Sequence, residues 1–430
     1  MRLTELEYPS KSFRNNGSRR LPLSRSDPQT AGDHFTLETI SDLREIEKLR
    51  EIWKSWQKTR DSDVDFFCGM VRSRGVGCRP HVIVLSRNAR PDAILIGLRD
   101  RTKIRIRLCS ATMRQSEVNV LEFVYGGLLG NASGENCATL VQAVMQSLAE
   151  GDADVALWEQ LDVHSALYAC AVQLPSLALR DHSRGLQDHW FMSFPKDLDA
   201  LFSSLGHSQR HELRRKYKRV LTSFPGRIQV LTFRTIADLE QAIPDMEHIA
   251  GKSAKRQVGF GFFDTPHVRE QLRMEASRGW LRIYILHLNG SPVAFWKGTL
   301  YGRCLQADFV GYDQGWSIFS PGIFLFLKIL EDLRHEDIET VDFGCGNGQL
   351  YHSFGNVRCP EASVRICAPK LGALQLNLLH ALTDYATTLI RGTPCLNWAR
   401  RAVWKRMQAR ALLASAGSRE RHLTELQPKV

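Results

Sequence analysis

The chain has 430 residues, enough for two or three domains that each bury a hydrophobic core. Its composition, 43% hydrophobic and 24% charged, is that of a globular protein and excludes a fibrous or wholly disordered chain. The net charge of +11 suits an anionic partner, although the excess is concentrated in a few segments. No run approaches about 18 uninterrupted apolar residues, and the N-terminus lacks an apolar leader. We therefore expect a cytoplasmic protein without a membrane span.

Ten cysteines are spread along the chain, and none of them forms a C-x-x-C pair. No histidine cluster has zinc-finger spacing. In a reducing compartment such cysteines are mostly small, buried apolar side chains. The sequence therefore predicts no disulfide framework and no metal site.

The first part of the chain predicts a tail followed by a domain. Residues 1–33 are polar and basic, and we expect them to be disordered. Residues 34–185 predict an N-terminal domain with the order helix, strand meander, helix, strand, helix. Its elements are Ser41–Lys58, His81–Leu85, Ala93–Leu98, Ile104–Leu108, Leu121–Tyr125, Asn136–Glu150, Val155–Trp158 and Ser165–Gln173. The glycine-rich segment 126–134 predicts a flexible connection before the Asn136 helix, with phosphate binding as the alternative.

Residues 186–369 predict a second domain that opens with a basic helix over 206–220. Leu213, Tyr217 and Val220 form its apolar face, and arginines and lysines occupy the rest. A solvated face explains those charges, and contact with a CoA phosphate or with RNA is the alternative. The elements that follow are the strand Arg227–Phe233 and the helices Ala237–Lys252 and Thr265–Ser277.

The stretch from Trp280 to Gly355 is the most informative part of the chain. Two β-rich runs flank Asn289-Gly290, the strongest short hairpin signal, and a third strand, Cys304–Tyr312, follows. Ser320-Pro321-Gly322 then opens an apolar helix that ends at Leu333, and such a helix start can bind a phosphate. The last elements are the strand Glu339–Phe343, the helix Gln349–Phe354, the strand Ala362–Cys367 and a basic helical extension over 370–430.

This order of elements resembles the GNAT acyl-CoA N-acyltransferase fold. The resemblance is closest to the BioF2-like or CelD-type acetyltransferases, which are relatives of the FemAB ligases. The residues that carry it are Tyr312, Ser320-Pro321-Gly322, Asp342-Phe343-Gly344, Gly346 and Tyr351 to Gly355. It implies an α/β (α+β) fold of two tandem GNAT-like domains, each a mixed, mostly antiparallel sheet flanked by helices. It also implies a catalytic C-terminal half that transfers an acyl group from acetyl-CoA or another acyl-CoA to a small-molecule amine, with exopolysaccharide or cellulose metabolism as the expected context.

The resemblance places acyl-CoA along the segment from Gly311 to Gly322. Gly311, Tyr312, Ser320, Pro321 and Gly322 are the expected contacts, because backbone N–H groups at a helix start bind the pyrophosphate.

Asp308 is the expected base, because it is the single carboxylate in an apolar strand and burial would raise its pKa. Asp342 is the second carboxylate, with capping of the next turn as its alternative role. Tyr312 and Tyr351 are expected to protonate the leaving thiolate. Lys297 is expected to orient an anionic acceptor or to be solvated.

Three other functions remain open from the sequence. FemAB-like relatives use aminoacyl-tRNA, so a tRNA donor is one alternative to acyl-CoA. The octet Val341–Gly348 also resembles the first motif of S-adenosylmethionine methyltransferases, but that motif belongs to the first strand of a doubly wound domain and here comes late. The third alternative is a non-enzymatic basic binding protein with a decayed GNAT fold. Acceptor, acyl chain and oligomeric state do not follow from the sequence.

Overall fold

The computed structural model describes residues 35–392 except 76, 109–110, 183–184, 258 and 347–348. The strands are β1 Phe35–Ile40, β2 Arg79–Arg87, β3 Arg90–Leu108, β4 Ala111–Gly130, β5 Val155–Asp162, β6 Leu186–Ser193, β7 Ile228–Phe233, β8 Leu281–Leu288, β9 Ser291–Tyr301, β10 Cys304–Tyr312, β11 Thr340–Cys345 and β12 Val357–Cys367. The helices are α1 Leu43–Ile46, α2 Arg50–Trp56, α3 Val64–Arg74, α4 Gly134–Glu150, α5 Ala166–Gln173, α6 Leu198–Ser204, α7 His207–Ser223, α8 Leu239–Gly251, α9 Ala254–Gln257, α10 Pro266–Ser277, α11 Pro321–Leu333, α12 Gln349–Phe354 and α13 Leu371–Gly392. Short 3₁₀ segments cover Glu47–Leu49 and Gln314–Phe319.

All twelve strands belong to one sheet in the order β1-β2-β3-β4-β5-β12-β6-β11-β10-β9-β8-β7. The pairs β4–β5 and β10–β11 are parallel, and the other neighbours are antiparallel. Each half of the chain thus contains an antiparallel meander, a helix and a strand parallel to the last meander strand. The predicted fold class, a tandem of mixed and mostly antiparallel sheets flanked by helices, is confirmed.

The two halves exchange their last strands. β6 follows the N-terminal half in the chain but pairs with β11, whereas β12 closes the C-terminal half but pairs with β5. β6 and β12 also pair with each other and make the sheet continuous. The expected domain boundary between residues 185 and 186 lies just before β6. Because the strand exchange links the two halves across this point, the boundary stays a prediction.

Four hydrophobic clusters cover the two faces of the sheet. In the C-terminal half, α7 and α11 pack on one face and α8 and α10 on the other. In the N-terminal half, α4, α5 and α13 cover one face and α2 and α3 the other. Most of α11 is buried, from Pro321 to Leu333, as its nearly uniform apolar sequence predicts. This buried helix fixes the position of its own N-terminus against β10.

Several elements differ from the sequence-based expectations. The segment predicted as a flexible loop, 126–134, is mostly strand, because β4 runs to Gly130 and only residues 131–133 connect it to α4. β1, α3 and β6 were not predicted. β1 buries only Ile40, and β6 buries only His189 and Met192, so neither shows a clear alternation of apolar side chains.

Both ends of the chain lie largely outside the described residues. The tail predicted over 1–33 lies there entirely, and so does the extension beyond residue 392. Within the part that is described, no helix has the length and apolarity needed to span a bilayer.

Candidate functional site

The parallel pair β10–β11 separates after three residue pairs. Cys304 pairs with Thr340, Leu305 with Val341 and Gln306 with Asp342. Beyond that point β10 continues along β9 to Tyr312, while β11 continues along β6 to Cys345. We call the opening between residues 307–312 and 343–345 the β10–β11 cleft. Strand edges that part in this way leave backbone N–H and C=O groups available to an extended ligand.

The start of α11 lies at the end of this cleft. Ser320 has a left-handed conformation, with φ of 51°, and its side chain makes no capping hydrogen bond. The Ser320 side chain therefore caps none of the first-turn N–H groups of α11, although Ile323 N donates to the Ser320 carbonyl oxygen at 3.1 Å. Pro321 has no N–H, so Gly322 carries the first N–H of the helix. A Cβ on Gly322 would meet only Tyr312 Cδ1, at 3.8 Å, so the approach to the helix start is open. Tyr312 thus lies beside the helix start formed by Ser320, Pro321 and Gly322, and their expected contact with acyl-CoA stays a prediction.

Gly311 packs closely inside the sheet, and its expected contact with acyl-CoA stays a prediction. It lies inside β10 and not in a turn, and a Cβ there would be 2.5 Å from Phe295 Cε1. Its lack of a side chain therefore serves the packing of β10 against the Phe295 ring.

Asp308 belongs to a buried ion-pair cluster. Its carboxylate accepts hydrogen bonds from Arg60 at 2.5 Å, Lys297 at 2.6 Å and Thr299 at 2.7 Å. Lys297 also pairs with Glu275 at 2.6 Å. Lys297 and Glu275 are completely buried. Arg60 precedes α3, so the cluster ties the N-terminal half to the C-terminal sheet.

The geometry contradicts two of the expectations for this cluster. Burial favours the neutral acid, but Arg60 and Lys297 outweigh it and lower the pKa of Asp308 to about 2. The predicted rise in pKa is therefore wrong, and so strong an acid is a poor proton acceptor. Lys297 is neither solvated nor open to an acceptor, because it is fully buried between two carboxylates. Both side chains position β9 and β10 beside the cleft.

A second buried cluster surrounds His189 on β6. Its Nε2 lies 2.6 Å from Asp342 Oδ1, and its Nδ1 lies 2.9 Å from Glu361 Oε2. Cys345 Sγ donates to the same Glu361 oxygen at 3.3 Å, and the Tyr125 hydroxyl donates to Glu361 Oε1 at 3.3 Å. Burial alone would lower the pKa of His189, but its hydrogen bonds to Asp342, Cys345 and Glu361 raise the pKa to about 12. In the metal-free state the imidazole is therefore charged between two carboxylates.

Asp342 has the capping role that the sequence left open, and its role as a base stays a prediction. Its Oδ1 accepts a hydrogen bond from Gly344 N at 2.7 Å and so caps the turn after β11. It is also the last residue of β11 paired with β10, so its carboxylate lies at the mouth of the cleft. The hydrogen bond from His189 holds it there.

Tyr351 on α12 lies on the β11 side of the cleft. Its ring packs against Phe343 with a centroid distance of 5.8 Å, and a Cβ on Gly346 would be 3.1 Å from the ring. Burial, with a further contribution from the Asp342 carboxylate, raises the pKa of Tyr351. Its phenol therefore stays protonated over the neutral range.

A groove of about 770 Å³ runs between α3 and α10. Arg60 lines it and also contacts Asp308, so the groove reaches the face of β10 that carries the buried ion pairs. Arg74, His267 and Arg278 add basic or ionisable side chains to its wall, and Asp65 adds a carboxylate. A polar ligand with charges of both signs suits this surface.

Sequence reasoning missed Arg60, Glu275, His189, Cys345 and Glu361. These residues come from distant parts of the chain, and no motif of fixed spacing joins them. The one local signal is the Gly344-Cys345-Gly346 turn after β11, in which both glycines have positive φ, 75° and 144°. These glycines indicate an unusual turn, but they do not indicate which side chains lie near Cys345.

The position of β11 argues against the methyltransferase alternative. The strand comes late in the chain, lies in the middle of a mostly antiparallel sheet and is parallel only to β10 among its neighbours. The S-adenosylmethionine motif requires the first strand of a doubly wound sheet. Residues 347–348 of the motif lie outside the described residues.

Comparison with known proteins supports this description. Residues 207–351, from α7 to α12, match the family model Acetyltransf_6, described as an acetyltransferase (GNAT) domain. No curated protein sequence matches the chain. Among solved structures, FemX is similar with a TM-score of 0.50 at 9% identity, covering 77% of this chain and 97% of that one.

Two other structures have lower TM-scores. The C-terminal domain of a putative lysylphosphatidylglycerol synthetase from Agrobacterium fabrum has a TM-score of 0.47 at 13% identity, covering 79% of this chain and 97% of that one. A tandem GNAT protein from the clavulanic acid biosynthesis pathway has a TM-score of 0.46 at 12% identity, covering 78% and 99%. At such identities a likeness concerns the fold alone. The chain has a tandem GNAT-like fold, and residues 207–351 of its C-terminal half match the model of a GNAT acetyltransferase domain.

Proposed function

We propose that the chain is an acyl-CoA-dependent N-acyltransferase of the BioF2-like or CelD type, with its active site in the β10–β11 cleft. One observation carries this proposal: the parallel strands part after Gln306–Asp342, and an uncapped helix N-terminus lies at the end of the opening. The arm of CoA would lie between the strand edges, and its pyrophosphate would meet the first turn of α11. The match of residues 207–351 to a GNAT domain supports the same placement.

The reaction forms a C–N bond and breaks the thioester C–S bond. With the thioester carbonyl at the mouth of the cleft, the acceptor amine attacks it, and free backbone groups of the strand edges stabilise the oxyanion. We assign the proton of the leaving thiol to Tyr351, which remains protonated because burial and Asp342 raise its pKa. We assign acceptance of the amine proton, directly or through water, to Asp342, which His189 holds at this point.

The acceptor we propose is a small amine, carried by a sugar, a sugar nucleotide or an amino acid. The groove between α3 and α10 supports a polar acceptor, because arginines and carboxylates share its wall. The likeness to CelD-type proteins is the ground for placing that acceptor in exopolysaccharide metabolism.

Calorimetry on the full chain with CoA, acetyl-CoA and S-adenosylmethionine tests the donor. We expect CoA and acetyl-CoA to bind and S-adenosylmethionine to give no heat. Release of free thiol from acetyl-CoA should increase when a panel of amino sugars and amino acids is added. Binding of S-adenosylmethionine without CoA would overturn the proposal. Acyl transfer from aminoacyl-tRNA in a protein that does not bind CoA would replace the donor with the FemAB-like one.

A further inference from the structure

Three potential metal-ligating atoms converge where the two halves exchange strands. His189 is on β6, Cys345 on β11 and Glu361 on β12, three neighbouring strands of the sheet. One ligand atom from each residue lies within 4.8 Å of the other two. His189 and Glu361 are 2% and 4% exposed, and Cys345 is half-buried. The group is therefore enclosed by the sheet and its packing.

Each ligand is oriented by a second contact. Asp342 Oδ1 holds His189 Nε2 at 2.6 Å, which turns Nδ1 toward Cys345 and Glu361. Tyr125 holds Glu361 Oε1 at 3.3 Å and leaves Oε2 facing the other two ligands. A carboxylate on the far nitrogen of a ligating histidine is the usual outer-shell arrangement in metal sites.

The spacing of these atoms is close to that of a tetrahedral site. Bonds of about 2.0–2.3 Å to nitrogen, oxygen and sulfur place ligand atoms about 3.3–3.6 Å apart. In the structure, Nδ1 is 2.9 Å and Sγ 3.3 Å from Glu361 Oε2, so small side-chain shifts admit an ion. Cys359 offers a fourth ligand: it pairs with His189 across β6–β12 and is two residues from Glu361, which places all three on one face.

The charges in the cluster are compatible with a bound cation. Two carboxylates, from Asp342 and Glu361, and the Cys345 thiol surround a single imidazole in a buried place. A divalent ion would take the place of the Cys345 thiol proton and of one His189 proton, so the net charge of the cluster would stay the same.

We propose that His189, Cys345 and Glu361 bind one divalent metal ion, with Cys359 or water as the fourth ligand. The mixture of nitrogen, sulfur and oxygen donors fits Zn²⁺ better than Mg²⁺ or Ca²⁺, which prefer oxygen alone. The ion would fasten three strands, two of them exchanged between the halves. The proposal is independent of the acyl donor, and it replaces the sequence-based expectation of no metal, which rested on the lack of short-range ligand spacing.

The test is metal content and metal uptake of the untagged full chain. Protein from zinc-supplemented medium should hold about one zinc ion per chain by plasma mass spectrometry. After removal of the metal with a chelator, Co²⁺ should bind and give a thiolate-to-cobalt absorption band. Cys345→Ser should abolish that band and most of the zinc. Cys304→Ser, the same change on the neighbouring strand β10, should retain both.

A second variant separates metal binding from folding. Asp342→Asn keeps all three ligands but changes the outer contact of His189, and we expect metal affinity to fall by about 10- to 100-fold. Circular dichroism confirms that each variant is folded. A folded wild-type chain that contains no zinc and takes up neither Zn²⁺ nor Co²⁺ at micromolar concentration would overturn the proposal, leaving a proton-bridged cluster. Equal zinc content in wild type and Cys345→Ser would overturn it as well.

Discussion

The helices that connect the strands of the two parallel pairs begin in opposite ways. At the start of α4, Ser133 is extended, with φ of −61°, and its side chain accepts a hydrogen bond from Asn136 N at 3.3 Å. At the start of α11, Ser320 is left-handed and its side chain makes no capping hydrogen bond. The same residue type in the equivalent place thus closes one helix start and leaves the other open. An anion at α4 would compete with a built-in cap, whereas α11 has no such competitor.

The strand pairs in front of these helices differ as well. β4 and β5 part after Phe123–Trp158, and the opening holds a cavity of about 250 Å³ with apolar walls that include Leu95 and Trp158. β10 carries the Asp308 ion pairs just beyond its own parting point. The two strand pairs therefore share their geometry, but of the two only the C-terminal pair combines buried ion pairs just beyond its parting point with a helix start that has no side-chain cap. A donor site is accordingly expected in one half of the molecule.

The largest effect should come from the buried charges. We expect Asp308→Asn to lower the free energy of unfolding by about 3–5 kcal/mol, because Arg60 and Lys297 lose a buried counter-charge. The matched change in the N-terminal half, Asp100→Asn, breaks a partly exposed ion pair with Arg74. It should change the free energy of unfolding by less than about 1 kcal/mol. Urea unfolding of both variants measures the difference. Equal effects would mean that burial does not distinguish the two clusters.

The Asp308 carboxylate also predicts that the free energy of unfolding depends on pH. The pKa of Asp308 is lowered to about 2 in the folded chain, whereas an unfolded aspartate titrates near about 4. The contribution of Asp308 to the free energy of unfolding is therefore fully present above pH ~4 and is lost as the pH falls toward ~2. The difference in unfolding free energy between wild type and Asp308→Asn should shrink over this range. A difference that stays constant down to pH ~2 would contradict the ion-pair description.

The comparison of the two helix starts can be tested at matched glycines. Gly322→Asp places a carboxylate where the pyrophosphate should bind, and we expect CoA affinity to fall by about 100-fold. Gly134→Asp makes the same change in the first turn of α4, where there is also open space, and should leave CoA binding unchanged. Both variants should unfold at the wild-type denaturant concentration or slightly above it, because an acidic residue suits a helix N-terminus. Loss of CoA binding in the Gly134→Asp variant would place the donor site in the N-terminal half and contradict the proposal.

Two tyrosines near the cleft should separate binding from chemistry. Tyr351→Phe removes the proposed acid, so we expect kcat to fall by about 10²-fold while KM for acyl-CoA stays close to that of wild type. Tyr312→Phe, beside the start of α11, should mainly change KM. Steady-state kinetics with the best amine acceptor decides between them. If Tyr351→Phe mainly changed KM and Tyr312→Phe mainly lowered kcat, Tyr312 would be the acid and Tyr351 the binding residue.

Local pattern was enough to predict the C-terminal meander, because Asn289-Gly290 and alternating apolar side chains fix a hairpin without help from distant residues. It also gave the helix start at Ser320. The cleft chemistry was harder, since Asp308 has the pattern of an isolated buried carboxylate until Arg60 is brought to it by folding. His189 lies in a strand with almost no apolar periodicity, and its partners Asp342 and Glu361 meet it only through the strand exchange.

The smallest expected effect concerns the basic helix α7. Arg219 donates to Ile318 O at 2.9 Å, just before the start of α11, and Lys218 is an exposed neighbour on the same helix. We expect Arg219→Gln to raise the Kd for CoA by about 3- to 10-fold, which corresponds to about 0.7–1.4 kcal/mol, because a cation near the helix start attracts a phosphate. Lys218→Gln removes the same charge from the same helix and should have no effect. If 3′-dephospho-CoA shows the same loss, Arg219 serves the pyrophosphate; if only CoA does, it serves the 3′-phosphate. If neither variant changes the affinity for CoA or for 3′-dephospho-CoA, the charges of α7 form a solvated face. The donor would then be bound by backbone groups of α11 without help from Arg219.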